Sequence, residues 1–198
     1  MTLHAPSPKA LEMFETDRLL LRKPTAGDAE AIFRRYSADP EVTRYMSWAT
    51  HRRLDDTRAF LAWSEGDWAR WPAGSYLVFA RDQDCLLIGG TGVSFRTPDE
   101  AVTGYVLARD AWGKGYATEC LRAMILLARQ TGVRRLEAVC HAENRASAHV
   151  MEKCGMHYEG LLAAHTEFPN LQPGVRLDVL RYGLELEGDV DRASDAKD

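Results

Sequence analysis

Residues 105–132 read YVLARDAWGKGYATECLRAMILLARQTG, and this stretch constrains the fold more than any other. A strand-like apolar run gives way to Ala117, Leu121, Met124, Ile125 and Ala128, which recur at helical spacing until Gly132 supplies a stop. The change is made through Trp112-Gly113-Lys114-Gly115, so a strand hands directly to a helix across two glycines. The first amides of a helix have no internal acceptor and sit at the positive end of its dipole. With no side chains at Gly113 and Gly115 they can bind an anion, with Lys114 adding charge and Thr118 a hydroxyl; a pyrophosphate suits such a site. The other reading is a tight turn that needs glycine for its backbone angles alone. A Walker A loop does not fit, because Lys114 lies between the glycines and is followed by Gly115. Nor does a dinucleotide fingerprint: position 118 is Thr, and the next strand ends in Cys140-His141 rather than an acid.

The rest of the chain supplies a sheet for that helix. Residues 18–24 read as a first strand, stopped by Pro24. Thr25 and Asp28 form a capping-box pattern ahead of Ala29, Ile32, Phe33 and Tyr36. Asp39-Pro40 predicts a short helix carrying Val42, Tyr45 and Met46, and LDDTRAFLAWSEGDW a longer one. Residues 75–81 and 86–95 flank DQD and imply an antiparallel hairpin. Residues 101–108 form the strand before the glycines. RLEAVC is the strand after the helix, Asn144 an N-cap, RASAHVMEKC a helix and Gly155 its left-handed terminator. Strands at 156–162 and 175–186 close the sheet, joined by the polar AAHTEFPNLQPG. The fold class is therefore mixed α/β (α+β), one domain over residues 15–186, with a loose segment at 1–14 and an acidic tail at 187–198 read as disordered.

Composition excludes several classes. In 198 residues, 45% are apolar, 27% are charged and the net charge is −4, which suits one globular domain with an adequate core. No apolar stretch spans a bilayer and the first residues lack a signal-peptide pattern, so a soluble cytoplasmic protein with no membrane partner is expected, monomeric or homodimeric. A pI near 5.9 disfavours a nucleic-acid surface. Cys85, Cys120, Cys140 and Cys154 make no CxxC and no zinc spacing with histidine; reduced, buried thiols and no metal are expected.

Trp112-x-x-Gly115-x-Ala117 resembles the signature of the GNAT superfamily of N-acetyltransferases, which is Arg or Gln, two residues, Gly, one residue, then Gly or Ala; tryptophan stands at the first position. GYVLARDAWGKGYATE and ETDRLLLRKPTAGDAEAIFRRYSADPEVTRYMSW resemble the ribosomal-protein N-terminal acetyltransferase branch, and ENRASAHVMEKCGMHYEG its second cofactor segment. The resemblance implies a mostly antiparallel sheet that splays open at an acetyl-coenzyme A site. It implies that the pantetheine arm pairs with the strand edge at Tyr105, Val106 and Leu107, and that the pyrophosphate rests on Trp112, Gly113, Lys114, Gly115, Tyr116, Ala117 and Thr118. Asn144 and Ser147 would reach the cofactor from the second helix; alternatively, Asn144 only caps its helix and Ser147 is a small exposed residue.

The same resemblance places a catalytic glutamate where this chain has Val102 and a proton-donating tyrosine where it has Met151. Glu100 lies on the Val102 face of the strand, about 7 Å away, close enough for a bridging water. His141 is the other candidate base, unless it is a solvent-facing loop residue. Tyr158 or solvent would protonate the departing thiolate, and an amide near Val106 or Leu107 would steady the acyl oxygen. The amine acceptor, a peptide N-terminus or a small amine, would sit between the early helices and residues 165–174. Trp48, Trp63, Trp68 and Trp71 either line that groove or pack the core, while Asp55, Asp56, Glu65, Asp67 and Glu167 either attract a cationic amine or form a solvated face. A non-catalytic module that binds coenzyme A is the alternative in another class.

Overall fold

The computed structural model describes residues 9–186. One eight-stranded sheet runs in the order β1-β2-β3-β4-β5-β6-β8-β7. The strands are β1 (Met13–Glu15), β2 (Leu19–Arg22), β3 (Ser75–Ala80), β4 (Leu86–Phe95), β5 (Glu100–Leu107), β6 (Arg135–His141), β7 (His157–Glu167) and β8 (Arg176–Glu185). Every neighbouring pair is antiparallel except β5 and β6. That exception follows from connectivity: β5 and β6 are joined through a helix, which returns the chain to the same end of the sheet.

The helices are α1 (Ala29–Ile32), continued by a π turn at Phe33–Ser37, α2 (Leu54–Arg70), α3 (Tyr116–Gln130) and α4 (Arg145–Lys153). Successive residues of β3 and β4 serve opposite faces, as a period of two requires. Val78 and Ile88 join Leu121, Met124, Leu127 and Ala128 of α3 in one core, whereas Leu77 and Leu87 join Ile32, Tyr36 and Leu61 in another. Because both faces are covered, β3 reads as a nearly continuous apolar run, SYLVFA.

The predicted capping box holds α1's entry: the Asp28 carboxylate accepts from the Thr25 amide at 2.7 Å and pairs with both terminal nitrogens of Arg22. The expected helix after Asp39 does not form; residues 39–48 are turns. The Thr43 carbonyl, which would have continued a helix, accepts instead from Met46 N and from Asn170 Nδ2. Two boundaries also move. Met13 and Phe14 pair with Arg22 and Leu21, so strand pairing begins inside the segment read as loose. β7 runs on to Glu167 with a shift of register between Leu162 and Thr166, where Ala164 adopts φ 45° and its amide donates to Asp178 Oδ1 at 2.9 Å. The acidic tail at 187–198 lies outside the described residues. Among the cysteines, Cys120 and Cys140 are buried and Cys154 partly so, but Cys85 is exposed in the β3–β4 turn. No helix among the described residues is long and apolar enough to cross a membrane.

Candidate active site

β5 and β6 pair only over Glu100, Ala101 and Val102 against Arg135, Leu136 and Glu137. Beyond that point β5 follows β4 to Leu107 and β6 follows β8 to His141. The strands diverge, and a cavity of about 770 Å³ fills the gap between residues 103–106 on one side and Ala138, Val139 and Cys140 on the other. Ala108 N donates to Ile88 O and the β4–β5 register is unbroken, so alternation turns the amides and carbonyls of Val106 and Gly104 toward β4. Those of Thr103 and Tyr105 face the cleft, and the Leu107 amide points the same way by alternation, while its carbonyl is taken by Trp112 Nε1. Val106 is thereby removed as an amide donor to a ligand, and Leu107 retained.

At the end of β5 the chain turns through Gly113 (φ 73°) and Gly115 (φ 82°) into α3. Both glycines occupy the left-handed region that other residues adopt at a cost, so the tight-turn reading holds. An added Cβ at Gly113 would meet nothing within 4 Å, which leaves the approach to the amides open. Both readings of the glycines are thus compatible. Glu119 N makes the first helical bond, to Gly115 O, leaving the amides of Tyr116, Ala117 and Thr118 without an acceptor inside α3. Lys114 is exposed beside them; the Tyr116 ring is buried, with its hydroxyl donating to Asp82 at 2.8 Å. Trp112 serves the frame of the site, since its indole Nε1 donates to Leu107 O at 2.7 Å and fixes the strand end.

This loop is clamped from β2's approach. Glu119 accepts from Arg18 N at 2.9 Å, Arg18 Nε at 2.8 Å and Thr16 Oγ1 at 2.6 Å, while Arg18 Nη1 donates to Lys114 O at 3.0 Å. Burial raises the Glu119 pKa, but the bonds from Thr16 and Arg18 outweigh it and the net shift is downward. A carboxylate depressed on folding stabilises the fold above its unfolded pKa and loses that contribution as pH falls through its folded value. Glu119→Gln is accordingly expected to lower stability at neutral pH by about 1–3 kcal/mol, in urea unfolding. The difference from the native chain should shrink below about pH 4.

Asn144 Oδ1 accepts from Ser147 N at 3.2 Å, capping α4, and Asn144 and Ser147 both line the cavity. Tyr105 OH donates to Ser147 Oγ at 3.1 Å; burial pushes its pKa up, so it stays protonated and acts as a hydrogen-bond donor. Met151 lines the cavity, as its alignment with the missing proton donor implies.

The three catalytic candidates are not brought together. Glu100 is exposed at the narrow start of β5, where the pairing with β6 is intact, and does not line the cavity. Tyr158 is 54% exposed on β7 and packs against Tyr182, also away from the cavity. His141 is buried, not solvent-facing: its ring stacks on Tyr45 at 5.2 Å and meets Phe168 edge-on, and its Nδ1 accepts from Glu143 N at 3.2 Å. Tyr45 and Phe168 line the cavity while His141 stands behind them.

One histidine that does line the cavity, His51, is marked by nothing in the sequence. Its Nδ1 lies 2.8 Å from Thr57 Oγ1, which is 3.4 Å from Ser37 Oγ. If the Thr57 hydroxyl donates to Ser37, it accepts from His51 Nδ1–H and leaves Nε2 as a base. Burial lowers the His51 pKa against a smaller upward pull from Asp56. No motif reveals this residue, since Thr57 and Ser37 reach it from two separate helical segments.

The acceptor region follows expectation only in part. Trp48 and Trp63 line the cavity with Tyr36 and Phe60, whereas Trp68 is 1% exposed in the core and Trp71 stacks on Phe95. None of the five candidate carboxylates lines it. Asp56 accepts from the amides of Arg52 and Arg53, Asp55 pairs with Arg53 and Arg58, and Glu167 accepts from Gly174 N. Asn170, also unforeseen, ties the two walls together: its Oδ1 accepts from Thr50 N at 2.8 Å, and its Nδ2 donates to Thr43 O at 2.7 Å and Trp48 O at 2.9 Å. Asn170→Ala should cost about 1–3 kcal/mol in thermal unfolding, because Thr50 N and Trp48 O lose these hydrogen bonds and Thr43 O keeps only its bond from Met46 N.

Known proteins share this architecture. Residues 18–157 match the family described as Acetyltransferase (GNAT) domain. The N-acetyltransferase p20 of Bacillus licheniformis is 29% identical over 177 residues, which cover 88% of this chain and 96% of that one. A GNAT-family acetyltransferase from Bacillus anthracis superposes with a TM-score of 0.74 at 26% identity, covering 87% and 98%. RimL, a ribosomal L7/L12 alpha-N-protein acetyltransferase solved with coenzyme A, shares the fold with a TM-score of 0.78 at 22% identity, covering 90% and 100%. A sheet opened beside a glycine-started helix and a family match through both describe the same object: the chain belongs to the GNAT family of N-acetyltransferases.

Proposed function

We propose that this protein transfers the acetyl group of acetyl-coenzyme A to the α-amine of a peptide N-terminus. The observation that carries the reading is the divergence of β5 and β6 immediately before the free amides of α3, and the likeness to RimL supports the ribosomal-protein acetyltransferase branch. Pantetheine would extend along the cleft-facing groups of Tyr105 and the Leu107 amide, with Asn144 and Ser147 opposite, and the pyrophosphate would meet the amides of residues 115–118. Thiol release from acetyl-coenzyme A with a panel of amines and N-terminal peptides separates this reading from a small-amine acetyltransferase and from a non-catalytic module.

In the proposed reaction the amine nitrogen attacks the thioester carbon, the carbon–sulfur bond breaks, and coenzyme A leaves as thiolate. His51 takes the proton that the nitrogen gives up. Leu107 N–H faces the cleft and would steady the acyl oxygen. The thiolate takes its proton from solvent, a step that a free thiol pKa near ~8.5 makes easy. An α-amine, with a solution pKa of ~7.7–8.0, is already partly neutral at working pH, whereas a lysine at ~10.4 is not.

A further inference from the structure

The cavity is uncharged. Among the described residues that line it, none carries a carboxylate, an ammonium or a guanidinium group. The acceptor end is instead built from rings. Trp48 and His51 lie 5.1 Å apart, Phe60 and Trp63 6.1 Å apart, and Tyr36 and Phe168 complete the chamber. Trp63 is 54% exposed and forms its rim. A cation moved into such a chamber loses hydration and meets ring faces but no counter-charge, which disfavours multiply charged polyamines and aminoglycosides most and a lysine ammonium less. A flat apolar group gains burial and ring contacts there.

We infer that the acceptor's amine is carried by a residue with a large apolar or aromatic side chain, which occupies the chamber formed by Tyr36, Trp48, Phe60 and Trp63 while the neutral amine points toward His51. This rests on the acetyl-transfer reading and adds the class of first residue. Two sources share the chemistry, a peptide beginning with Phe, Tyr, Trp or Leu and a free arylalkylamine.

The test sets peptides that differ only in their first residue, Phe, Ser, Glu or Lys, against phenylethylamine and spermidine, scoring kcat/KM with acetyl-coenzyme A. The Phe-first peptide should exceed the Ser-first, Glu-first and Lys-first peptides and spermidine by about tenfold or more. Phenylethylamine ahead of the Phe-first peptide would assign a small amine as the source and keep the aromatic class. Equal or faster turnover of the Ser-first or Glu-first peptide, or of spermidine, overturns the inference while acetyl transfer stands. If no amine is acetylated, the transfer reading fails, and calorimetric binding to the coenzyme A-loaded protein decides: tighter binding of the Phe-first peptide supports the apolar chamber, and equal binding overturns it. Trp63→Glu, a change at an exposed rim position, should narrow the gap between the Phe-first and Lys-first peptides about threefold or more through KM.

Discussion

His51→Gln is expected to lower kcat about 10²-fold, whereas Glu100→Gln should leave it within about threefold. Glutamine fills similar space and can still bond Thr57, so the loss would report the missing proton acceptor and not a collapsed wall. The imidazole works only when neutral. Burial depresses its pKa, so activity should fall as pH drops through a value below ~6.5, and that acid limb should vanish in the glutamine variant. Thr57→Val tests orientation: it should lower kcat more than it raises KM, with recovery in Thr57→Ser. A large loss in Glu100→Gln together with an active His51→Gln would return the proton to the sequence-based candidate.

Gly115→Glu is expected to weaken acetyl-coenzyme A binding at least tenfold, which is about 1.4 kcal/mol, in a titration followed by calorimetry. Two effects act in the same direction: at φ 82° a side chain is strained, and the carboxylate would compete with a phosphate for the amides of α3, while the Cβ itself makes only an ordinary contact, 3.5 Å from Arg18 Nη2. Gly115→Ala separates them, since it keeps the strain and lacks the charge; it should retain more affinity than the glutamate variant. Equal affinity of Gly115→Glu and the native chain, with native thermal stability, would remove the pyrophosphate from this loop.

The parts of this fold legible in the sequence are those set by local pattern. The strand–glycine–helix join, the capping box at Thr25 and Asp28, the Asn144 cap and the left-handed Gly155 each depend on residues within a few positions of one another. What the sequence hid depends on distant partners. The helix expected after Asp39 is lost to Asn170, about 130 residues away, which takes the Thr43 carbonyl. His51 carries no signal because its orienting hydroxyls come from α2 and the π turn after α1. Tryptophans and carboxylates could not be sorted between site and surface without knowing which face of α2 meets the cavity. Alternation of amides along β5 was legible in principle, yet the choice between Val106 and Leu107 required the one bond from Ala108 to Ile88.

Acetyl transfer to an α-amine meets its most direct test in mass spectrometry of a peptide carrying one free α-amine and one free lysine, incubated with the purified protein and acetyl-coenzyme A while thiol release is counted. The expected result is a single acetyl group on the α-nitrogen, matched by one thiol for each acetyl transferred. Acetylation of the lysine first would contradict the assignment of the acceptor, and a protein that binds acetyl-coenzyme A yet releases no thiol with any amine would contradict the transfer itself.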